Sequence, residues 1–388
     1  MRLLHVIGSL DPRLGGTVEA VRALSAEQAR QGHGVAVLTL DAPDQPYFEK
    51  FSVPVIAMGP SRGVFAYNSR LAGWMRAHRA EYDAVILHGI WEYAVLGAWR
   101  GLRGGATPWF VYPHGMLDPY FEQFRLKHIK KVIYWRLWLA RIFRDAAAVL
   151  YTAEEEQHLG EQSFRPYAAH GMVAPLGTAV PEAVEENAAQ LFLEKFPQLK
   201  SCRIALFLGR NHPKKGVDVA IGALAALAPH CADLRLVIAA PPAEIEEARL
   251  NALATQLGVR DRLVWTGFIS GALRSGALAA AGLFVLPSHG DNFALAAVES
   301  MARGLPIAIS KKVNIWREVA RYGAGLVEDD TVEGAARAMG QWLRMSPDEW
   351  QQMSRKAQRC FSECFEIGAA ARHSVAQMQR RLAEQRAA

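Results

Sequence analysis

Two stretches in the second half of this 388-residue chain place charged residues in loops that lead from an apolar strand into a helix. The first, Gly209–Gly216, carries Arg210 and Lys215 and follows the predicted strand Arg203–Leu208. Arginine offers a planar set of donors and lysine a compact charge, and both suit a pyrophosphate. This loop therefore predicts an anion site, and a surface loop with ordinary charges is the alternative.

The second stretch, Pro287–Ala302, contains two carboxylates, Asp291 and Glu299. Asn292 is the predicted N-cap of a helix that runs to about Arg303. A loop that opens a helix presents unpaired backbone N–H groups at the positive end of the helix, which favours a phosphate. The two carboxylates can accept hydrogen bonds from ribose or sugar hydroxyls. The two stretches together predict a nucleotide or another phosphorylated ligand.

The spacing of these residues resembles the donor-site signature of glycosyltransferase family 4. The family's usual form is Glu-x-Phe-Gly-Leu-x-x-x-Glu-Ala-Met-Ala followed by Gly-x-Pro, with Gly-Arg-x-x-x-x-Lys-Gly earlier in the chain. Asp291 stands where the family usually has Glu, and Ala294 stands where it usually has Gly. The positions that match are Gly209, Arg210, Lys215, Gly216, Phe293, Leu295, Glu299, Met301, Ala302, Gly304 and Pro306.

This resemblance implies an α/β protein of the GT-B type, with two Rossmann-like doubly wound domains and an interdomain cleft. It also implies a retaining glycosyltransferase that moves a sugar from a nucleotide diphosphate sugar to a glycan or lipid-linked acceptor, in cell-surface polysaccharide biosynthesis. A UDP or GDP sugar is the expected co-substrate. No cofactor and no metal requirement are expected, because no paired-aspartate metal motif is obvious and cationic side chains can stabilise the leaving diphosphate.

The roles that the resemblance implies fall into two groups. In the catalytic group, Arg210 and Lys215 would stabilise the diphosphate, while Asp291 and His114 would hold sugar hydroxyls. In the donor-binding group, Glu299 would accept from the ribose hydroxyls, and the backbone of the turn that ends at Phe268 would contact the base. The full donor-binding set is Gly15, Gly16, Phe268, Asn292, Phe293, Ala294, Leu295 and Glu299.

Two other functions fit the same residues. A nucleotide-sugar epimerase on this fold would need the donor alone and no acceptor. A non-catalytic nucleotide-sugar-binding protein of a polysaccharide assembly is conceivable because of the departures at Asp291 and Ala294.

The first half predicts a similar strand, loop and helix order, which favours a parallel sheet. After the predicted strand Arg2–Ile7, Gly15 and Gly16 would let the backbone approach a ligand at a helix N-terminus; a tight turn is the alternative. His114 follows the predicted strand Trp109–Tyr112, where parallel sheets place ligands, and a loop histidine with local hydrogen bonds is the alternative. A capping box is predicted at residues 152–155.

The segment Arg125–Arg144 carries seven Lys or Arg and no acid. With a helical repeat, four of the basic residues share one face and the apolar residues lie broadly opposite. Such a face can rest on an anionic membrane or receive a pyrophosphate-linked acceptor, and a solvated face is the alternative. The basic residues proposed for acceptor or membrane are Lys127, Lys130, Lys131 and Arg141, and the opposite apolar residues are Ile129, Val132, Ile133, Leu139 and Phe143.

Composition sets the remaining expectations. The hydrophobic fraction of 51% and the charged fraction of 21% exclude a disordered chain. The net charge of +6 and the pI near 9.2 favour attraction to phosphates or to an anionic membrane face. The four cysteines form no metal-binding or disulfide pattern, and no apolar run reaches membrane-spanning length. A cytoplasmic location, at the inner face of the plasma membrane, is therefore expected.

The length predicts more than one domain. Proline, glycine and a change of composition around Val173–Thr178 mark the boundary. We expect an N-terminal acceptor-side domain over residues 1–178 and a C-terminal donor domain over residues 179–365. The resemblance implies that a C-terminal helix over residues 366–388 crosses back to the first domain.

Overall fold

The computed structural model describes residues 1–118, 125–180 and 187–387, apart from the side chains of residues 125–127. The chain divides into two compact units. The first unit comprises Met1–Ala179 together with Phe365–Ala388, and the second comprises Val180–Cys364. Each unit is built on a wholly parallel sheet with helices as crossovers, so the predicted α/β class with two Rossmann-like domains is confirmed.

The first unit has a seven-stranded sheet in the order β3-β2-β1-β4-β5-β6-β7. This order reverses between β1 and β4, which is the topological switch point of a doubly wound sheet. Its strands are β1 (Arg2–Ile7), β2 (Gly34–Thr39), β3 (Val55–Ala57), β4 (Ala84–His88), β5 (Trp109–Tyr112), β6 (Ala148–Tyr151) and β7 (Gly171–Val173). Its helices are α1 (Gly16–Arg30), α2 (Leu71–His78), α3 (Tyr93–Leu102), α4 (Arg125–Tyr134), α5 (Ala140–Asp145), α6 (Glu154–Ser163) and, from the end of the chain, α15 (Ile367–Ala387).

The two faces of this sheet differ in chemistry. Alternate strand residues point to opposite faces, and one set, including Leu4, Val6 and Val85, enters a large apolar core with α3. His5 on β1 belongs to the other set and meets Gln28 of α1. On that side α15 packs along α1, where the Gln28 amide donates to the Ser374 hydroxyl at 3.4 Å. A polar network is therefore buried between the sheet and these two helices.

The second unit has a six-stranded sheet in the order β10-β9-β8-β11-β12-β13, and its switch point lies between β8 and β11. The predicted strands Arg203–Leu208, Leu234–Ala239 and Leu283–Leu286 have the bounds expected from their apolar runs. The strands are β8 (Arg203–Leu208), β9 (Leu234–Ala239), β10 (Leu263–Trp265), β11 (Leu283–Leu286), β12 (Ile307–Ser310) and β13 (Gly325–Glu328). The helices are α7 (Ala188–Lys195), α8 (Val217–Leu227), α9 (Glu244–Gln256), α10 (Gly271–Ala280), α11 (Leu295–Ala302), α12 (Trp316–Tyr322), α13 (Val332–Arg344) and α14 (Pro347–Cys360).

The predicted capping box at residues 152–155 is wrong. Helix α6 begins after Ala153, whose methyl side chain cannot accept a capping hydrogen bond. Instead, the backbone N–H and the hydroxyl of Thr152 both donate to the buried carboxylate of Glu156, at 2.6 and 2.7 Å. Glu156 also accepts from the backbone N–H of Gly115 at 2.5 Å. This carboxylate therefore anchors the loop after β5 to the start of α6.

Candidate functional site

The two charged loops of the second unit are joined where they leave neighbouring strands of the sheet. The hydroxyl of Ser288 and the backbone N–H of His289 both donate to the carbonyl of Lys214, each at 2.8 Å. We call residues 209–216, after β8, and residues 287–294, after β11, the paired loops. They lie at the carboxyl ends of adjacent strands across the switch point, which is where open parallel sheets bind ligands.

Gly216 is required by the close approach of the paired loops. Its backbone is left-handed, with φ 68°, and it precedes the first residue of α8. A Cβ atom at this position would lie 2.1 Å from the carbonyl oxygen of Pro287. Both the conformation and the space therefore require glycine, and a side chain here would force the two loops apart.

Lys215 and Asp291 form an ion pair between the paired loops. Both side chains are largely buried, with 18% and 17% of their surfaces exposed. Arg210 is exposed and has no partner among the residues that the structure describes. The structure thus brings together one cation held by a carboxylate and, in the same loop, a second cation that can bind an incoming anion.

The prediction that Asn292 caps the next helix is wrong. Helix α11 begins at Leu295, and the residue that flanks it, Ala294, is left-handed with φ 48° and ψ 58°. The side-chain oxygen of Asn292 instead accepts from the amide of Asn314 at 3.0 Å. The backbone N–H of Asp291 donates to Lys312 at 2.9 Å, so a third loop, after β12, holds this segment in place. Ala294 therefore provides no side-chain cap for the first N–H groups of α11.

Glu299, on α11, pairs with Arg274 of α10. The pair is partly exposed, with 22% of Glu299 and 35% of Arg274 accessible to solvent. Burial lowers the pKa of the guanidinium of Arg303. The negative charge of Glu299 acts to raise this pKa, and the positive charge of Arg274 acts to lower it further. The ion pair with Arg274 therefore holds the Glu299 carboxylate, and the charge of Arg303 lies near it.

The sequence singled out Glu299 but missed Arg274. The sequence contains a weak signal for Arg274, because it is the one charged residue in the helix Gly271–Ala280, which is otherwise rich in alanine, glycine and leucine. Asn211, within the paired loops, was also missed. Both polar atoms of its amide are shielded from solvent and have no partner in the described part of the chain.

The remaining donor-side predictions concern Phe268, Phe293 and Leu295. Phe268 follows Gly267, which is left-handed with φ 69°, and 70% of its surface is exposed. Phe293 and Leu295 are half-buried on either side of Ala294. An exposed aromatic ring at the end of the loop after β10 offers a flat surface that a base can contact.

In the first unit, Gly15 and Gly16 lie at the start of α1. Gly15 has φ 87° and flanks the helix, and Gly16 is its first residue. A Cβ atom at either glycine would meet nothing within 4 Å. The backbone is therefore open to a ligand here, although only Gly15 has a conformation that favours glycine.

His114 ends a row of three rings, which we call the histidine line (His5, His88 and His114); the first two are buried and His114 is half-buried. His5 Nδ1 lies 2.8 Å from His88 Nε2, and His88 Nδ1 lies 2.8 Å from His114 Nε2. Burial lowers the pKa of His5 to about 4, although its hydrogen bond to the Gln28 oxygen acts to raise it, and burial lowers the pKa of His114 to about 3. Burial and the neighbouring rings lower the pKa of His88 well below its ordinary value. The rings are therefore neutral at physiological pH.

Sequence reasoning found His114 and missed His5 and His88. His5 lies within the apolar run Arg2–Ile7, and a polar ring in the middle of this run is the signal that identifies it. The three rings come together only because β1, β4 and β5 are neighbours in the sheet.

The predicted division of the segment 125–144 into a basic and an apolar face is confirmed only in part, because Leu139 and Phe143 are buried whereas Ile129 and Ile133 are exposed. Residues Trp135–Leu139 form a π-helical turn between α4 and α5, and its wider repeat shifts the phase of the helix. Lys131 lies over the ring of Trp91 at 4.7 Å, whereas Lys130 and Arg141 are exposed and the side chain of Lys127 is outside the described residues. The apolar residues Ile129, Ile133 and Leu137 are 55%, 53% and 49% exposed.

Two further features are absent from the part of the chain that the structure describes. Among the described residues, no group of three or more His, Cys, Asp or Glu side chains is placed to hold a metal ion. In the same part of the chain, every helix is too short or too polar to span a membrane.

Comparison with known families matches both units. The family model described as "Glycosyl transferase 4-like domain" matches residues 15–177, and that described as "Glycosyl transferases group 1" matches residues 191–359. The GDP-mannose-dependent alpha-(1-6)-phosphatidylinositol dimannoside mannosyltransferase of Mycobacterium tuberculosis is 26% identical over 357 residues, covering 87% of each chain. The GDP-mannose:cellobiosyl-diphosphopolyprenol alpha-mannosyltransferase of Xanthomonas oryzae is 27% identical over 344 residues, covering 87% of this chain and 86% of the relative.

Solved structures share the fold over nearly the whole chain. Anabaena HepE in complex with UDP superposes with a TM-score of 0.79 at 17% identity, covering 98% of this chain and 100% of HepE. The sucrose-phosphate synthase of Thermosynechococcus elongatus superposes with a TM-score of 0.76 at 19% identity, covering 99% of this chain and 100% of the synthase.

Proposed function

We propose, from the premise that this chain belongs to the family 4 type of GT-B glycosyltransferases, that it is a retaining enzyme that transfers a sugar to a lipid-linked or glycan acceptor in cell-surface polysaccharide biosynthesis. Its membership makes it a nucleotide-sugar glycosyltransferase. The observation that carries the finer proposal is the joining of the paired loops, which sets Lys215 against Asp291 ahead of α11, with Arg210 exposed in the same loop as Lys215.

The chemistry of transfer requires stabilisation of the negative charge that grows on the leaving diphosphate. Lys215 is already positioned by Asp291, and Arg210 has no competing partner among the described residues. These cations and the N–H groups at the start of α11 can stabilise the diphosphate electrostatically and without a metal ion. Asp291 would then turn to a hydroxyl of the sugar, while Lys215 moves to the phosphate.

Glu299 is the proposed ribose contact. Its carboxylate lies on α11 and is held by Arg274, so its position does not depend on the ligand. A carboxylate can accept from two neighbouring hydroxyls at once, which is the arrangement that the ribose of a nucleotide offers. The exposed ring of Phe268 is the proposed contact of the base.

Two relatives that align over 87% of this chain support the choice of donor and acceptor to be tested first. The names of both specify GDP-mannose, and the names of their acceptors are those of lipids, a phosphatidylinositol dimannoside and a diphosphopolyprenol. GDP-mannose is therefore the first donor to test, followed by UDP sugars. A polyprenyl diphosphate sugar and a phosphatidylinositol mannoside are the first acceptors.

The helical segment 125–145 supports a location at an anionic membrane. The exposed Ile129, Ile133 and Leu137 recur every four residues, and Lys130 is exposed beside them. Apolar side chains flanked by lysine or arginine are the pattern with which peripheral proteins bind an anionic bilayer.

We expect the full chain to bind vesicles containing anionic lipid. Lys130→Glu combined with Arg141→Glu should weaken this binding, whereas Lys195→Glu, on the exposed surface of α7, should not.

Transfer assays with matched variants test the site. Lys215→Ala and Glu299→Ala should each lower kcat/KM by orders of magnitude, because each removes a contact to a charged or polyhydroxylated part of the donor. Lys195→Ala and Glu194→Ala, two exposed residues of α7, are the controls and should leave kcat/KM unchanged. Unchanged kinetics in either site variant, with the circular dichroism spectrum intact, would defeat the assignment.

Product analysis separates the proposed reaction from its rivals. The anomeric configuration of the new linkage, determined by NMR, should match that of the donor. A changed sugar in reactions with donor alone would identify an epimerase. Donor binding without transfer or hydrolysis, across the acceptors named above, would identify a non-catalytic binding protein.

A further inference from the structure

The histidine line continues beyond its three rings. His5 Nε2 lies 2.8 Å from the side-chain oxygen of Gln28 on α1, and the Gln28 amide nitrogen lies 3.4 Å from the hydroxyl of Ser374 on α15. Gln28, Ser374 and His5 are fully buried, and His88 is 3% exposed. Four hydrogen-bonded side chains therefore lead through the interior to a fifth, His114, which is only half-buried.

The direction of this row is fixed at its buried end. The hydroxyl of Ser374 lies 2.9 Å from the carbonyl of Ala371, which can only accept, so this hydroxyl donates to it. The hydroxyl oxygen is then the acceptor for the Gln28 nitrogen, and the Gln28 oxygen faces His5. Because an amide oxygen can only accept, His5 must carry its proton on Nε2.

The direction of these hydrogen bonds determines which ring nitrogen is protonated in each histidine, up to His114. A neutral imidazole has one donor nitrogen and one acceptor nitrogen, so the Nδ1 of His5 must accept from the Nε2–H of His88. In turn, the Nδ1 of His88 must accept from the Nε2–H of His114. Burial keeps the rings neutral, so each has a single ring proton. The outcome is a lone pair on Nδ1 of His114, an atom that bonds to nothing in the described part of the chain.

The backbone around His114 is also held. His114 is left-handed with φ 53°, an uncommon conformation for a residue other than glycine. The next N–H, that of Gly115, is bound by the buried carboxylate of Glu156 at 2.5 Å. The ring of Tyr112 stacks on His114 with centroids 5.4 Å apart, and its own hydroxyl donates to the carbonyl of Ala174. The position and the rotation of the His114 ring are both constrained, past the carboxyl end of a parallel strand.

We propose that Ser374, Gln28, His5 and His88 are positioning residues that hold His114 in the Nε2–H tautomer, so that its Nδ1 accepts a hydrogen bond from a hydroxyl of the donor sugar. The hydrogen bond from the donor sugar deepens the proposed function and depends on it, whereas the tautomer of His114 does not depend on it. A histidine that only filled the interior would not need an unpartnered acceptor at its solvent-facing end. His114 thereby selects donors by the presence of a hydroxyl that can donate.

The tautomers can be measured in the ligand-free full chain. After labelling with ¹⁵N-histidine, long-range ¹H–¹⁵N spectra distinguish a protonated ring nitrogen from a bare one. Loss of one signal in each of His5→Phe, His88→Phe and His114→Asn assigns the three rings. We expect all three to carry the proton on Nε2. A proton on Nδ1 of any of the three in the wild-type protein would overturn the proposal.

Two serine variants test whether Ser374 sets the direction of the hydrogen bonds along this row. Ser374→Ala removes the acceptor of the Gln28 amide, so the amide can turn over and Nδ1–H signals should appear along the histidine line. Ser25→Ala is a matched control, because Ser25 is another fully buried serine whose hydroxyl donates to the carbonyl three residues earlier, that of Arg22. The control should keep the wild-type pattern. An unchanged pattern in Ser374→Ala would refute the role given to this end of the row.

Fluorinated donors test the use of the lone pair. Fluorine in place of a hydroxyl can accept a hydrogen bond but cannot donate one. Replacing one particular sugar hydroxyl should lower kcat/KM of the wild-type enzyme about tenfold more than that of His114→Leu, as loss of one hydrogen bond predicts. His114→Asn, which offers a carbonyl oxygen and tolerates a left-handed backbone, should recover part of this difference. Equal penalties in wild type and His114→Leu at every hydroxyl would refute this part.

The two kinds of failure can be told apart. If no nucleotide sugar supports transfer, the proposed function fails while the tautomer measurement still stands. If transfer occurs but the tautomers or the fluorine penalties differ from those expected, the proposed function stands and the inference about the histidine line fails.

Discussion

Replacing His5 by phenylalanine should reduce the pH dependence of the stability of the first unit. The folded state holds His5 neutral, with a pKa lowered to about 4 by burial, whereas an unfolded histidine has a pKa near the ordinary value of 6.5. Between these two values the unfolded chain binds more protons than the folded one. Stability therefore falls as the pH falls from about 6.5 towards 4, and phenylalanine, which binds no proton, removes this contribution.

The size of the effect follows from these two values. At pH 5 an unfolded histidine is almost fully protonated, whereas folded His5 has taken up only about a tenth of a proton. Integrating the difference from pH 7 to pH 5 gives a loss of about 2 kcal/mol in the free energy of unfolding from His5 alone. This loss is a large part of the stability of an ordinary domain.

Amide hydrogen exchange on peptides from β1 and β4 measures the opening of the unit in which His5 lies. After correction for the intrinsic exchange rates at pH 7 and pH 5, the wild type should lose about 2 kcal/mol more opening free energy than His5→Phe. His158→Phe, which removes an exposed histidine of α6, should behave as the wild type. The same pH dependence in wild type and His5→Phe would show that His5 is protonated in the folded state, contrary to the reasoning.

Further predictions concern the second unit. Gly216→Ala should destabilise this unit by at least about 1 kcal/mol and raise the donor Kd, because its Cβ would meet the carbonyl of Pro287. Thermal melts and donor titration measure these two effects, and an unchanged Kd would contradict the close approach of the loops. Ala294→Gly should leave stability equal or raise it by up to about 1 kcal/mol in urea unfolding, because a left-handed alanine is strained; a clear loss would contradict this. Phe268→Ala should raise the donor KM about fivefold with kcat little changed, and the same KM would exclude the base contact. Transfer should survive EDTA, and a loss restored by Mg²⁺ would refute metal-independent stabilisation of the diphosphate.

The sequence was sufficient wherever a single strand or loop determined the outcome. The apolar runs Arg203–Leu208 and Leu283–Leu286 predicted their strands because buried parallel strands are continuously apolar. The family spacing also singled out Lys215 and Asp291, which the structure brings into contact. It could not show that they bind each other, because that depends on β8 and β11 being neighbours.

The errors have specific physical causes. Asn292 looked like an N-cap, but the chain needs two more residues and a left-handed Ala294 before it can turn into α11. The face predicted for Lys130, Lys131 and Arg141 assumed a constant helical repeat, which the π-helical turn interrupts. His5 was overlooked because a polar ring within an apolar strand gains its meaning only from Gln28, which lies on a different element.

The carbonyl of Lys214 has a practical consequence for anyone redesigning this enzyme. Since Ser288 and His289 both bind this one oxygen, the paired loops behave mechanically as a single part, and an insertion in either would displace both. New donor preferences are therefore best sought by randomising side chains that project from this part, such as Phe293, or from the separate turn at Phe268. Libraries that vary the length of either loop should consist mostly of inactive proteins.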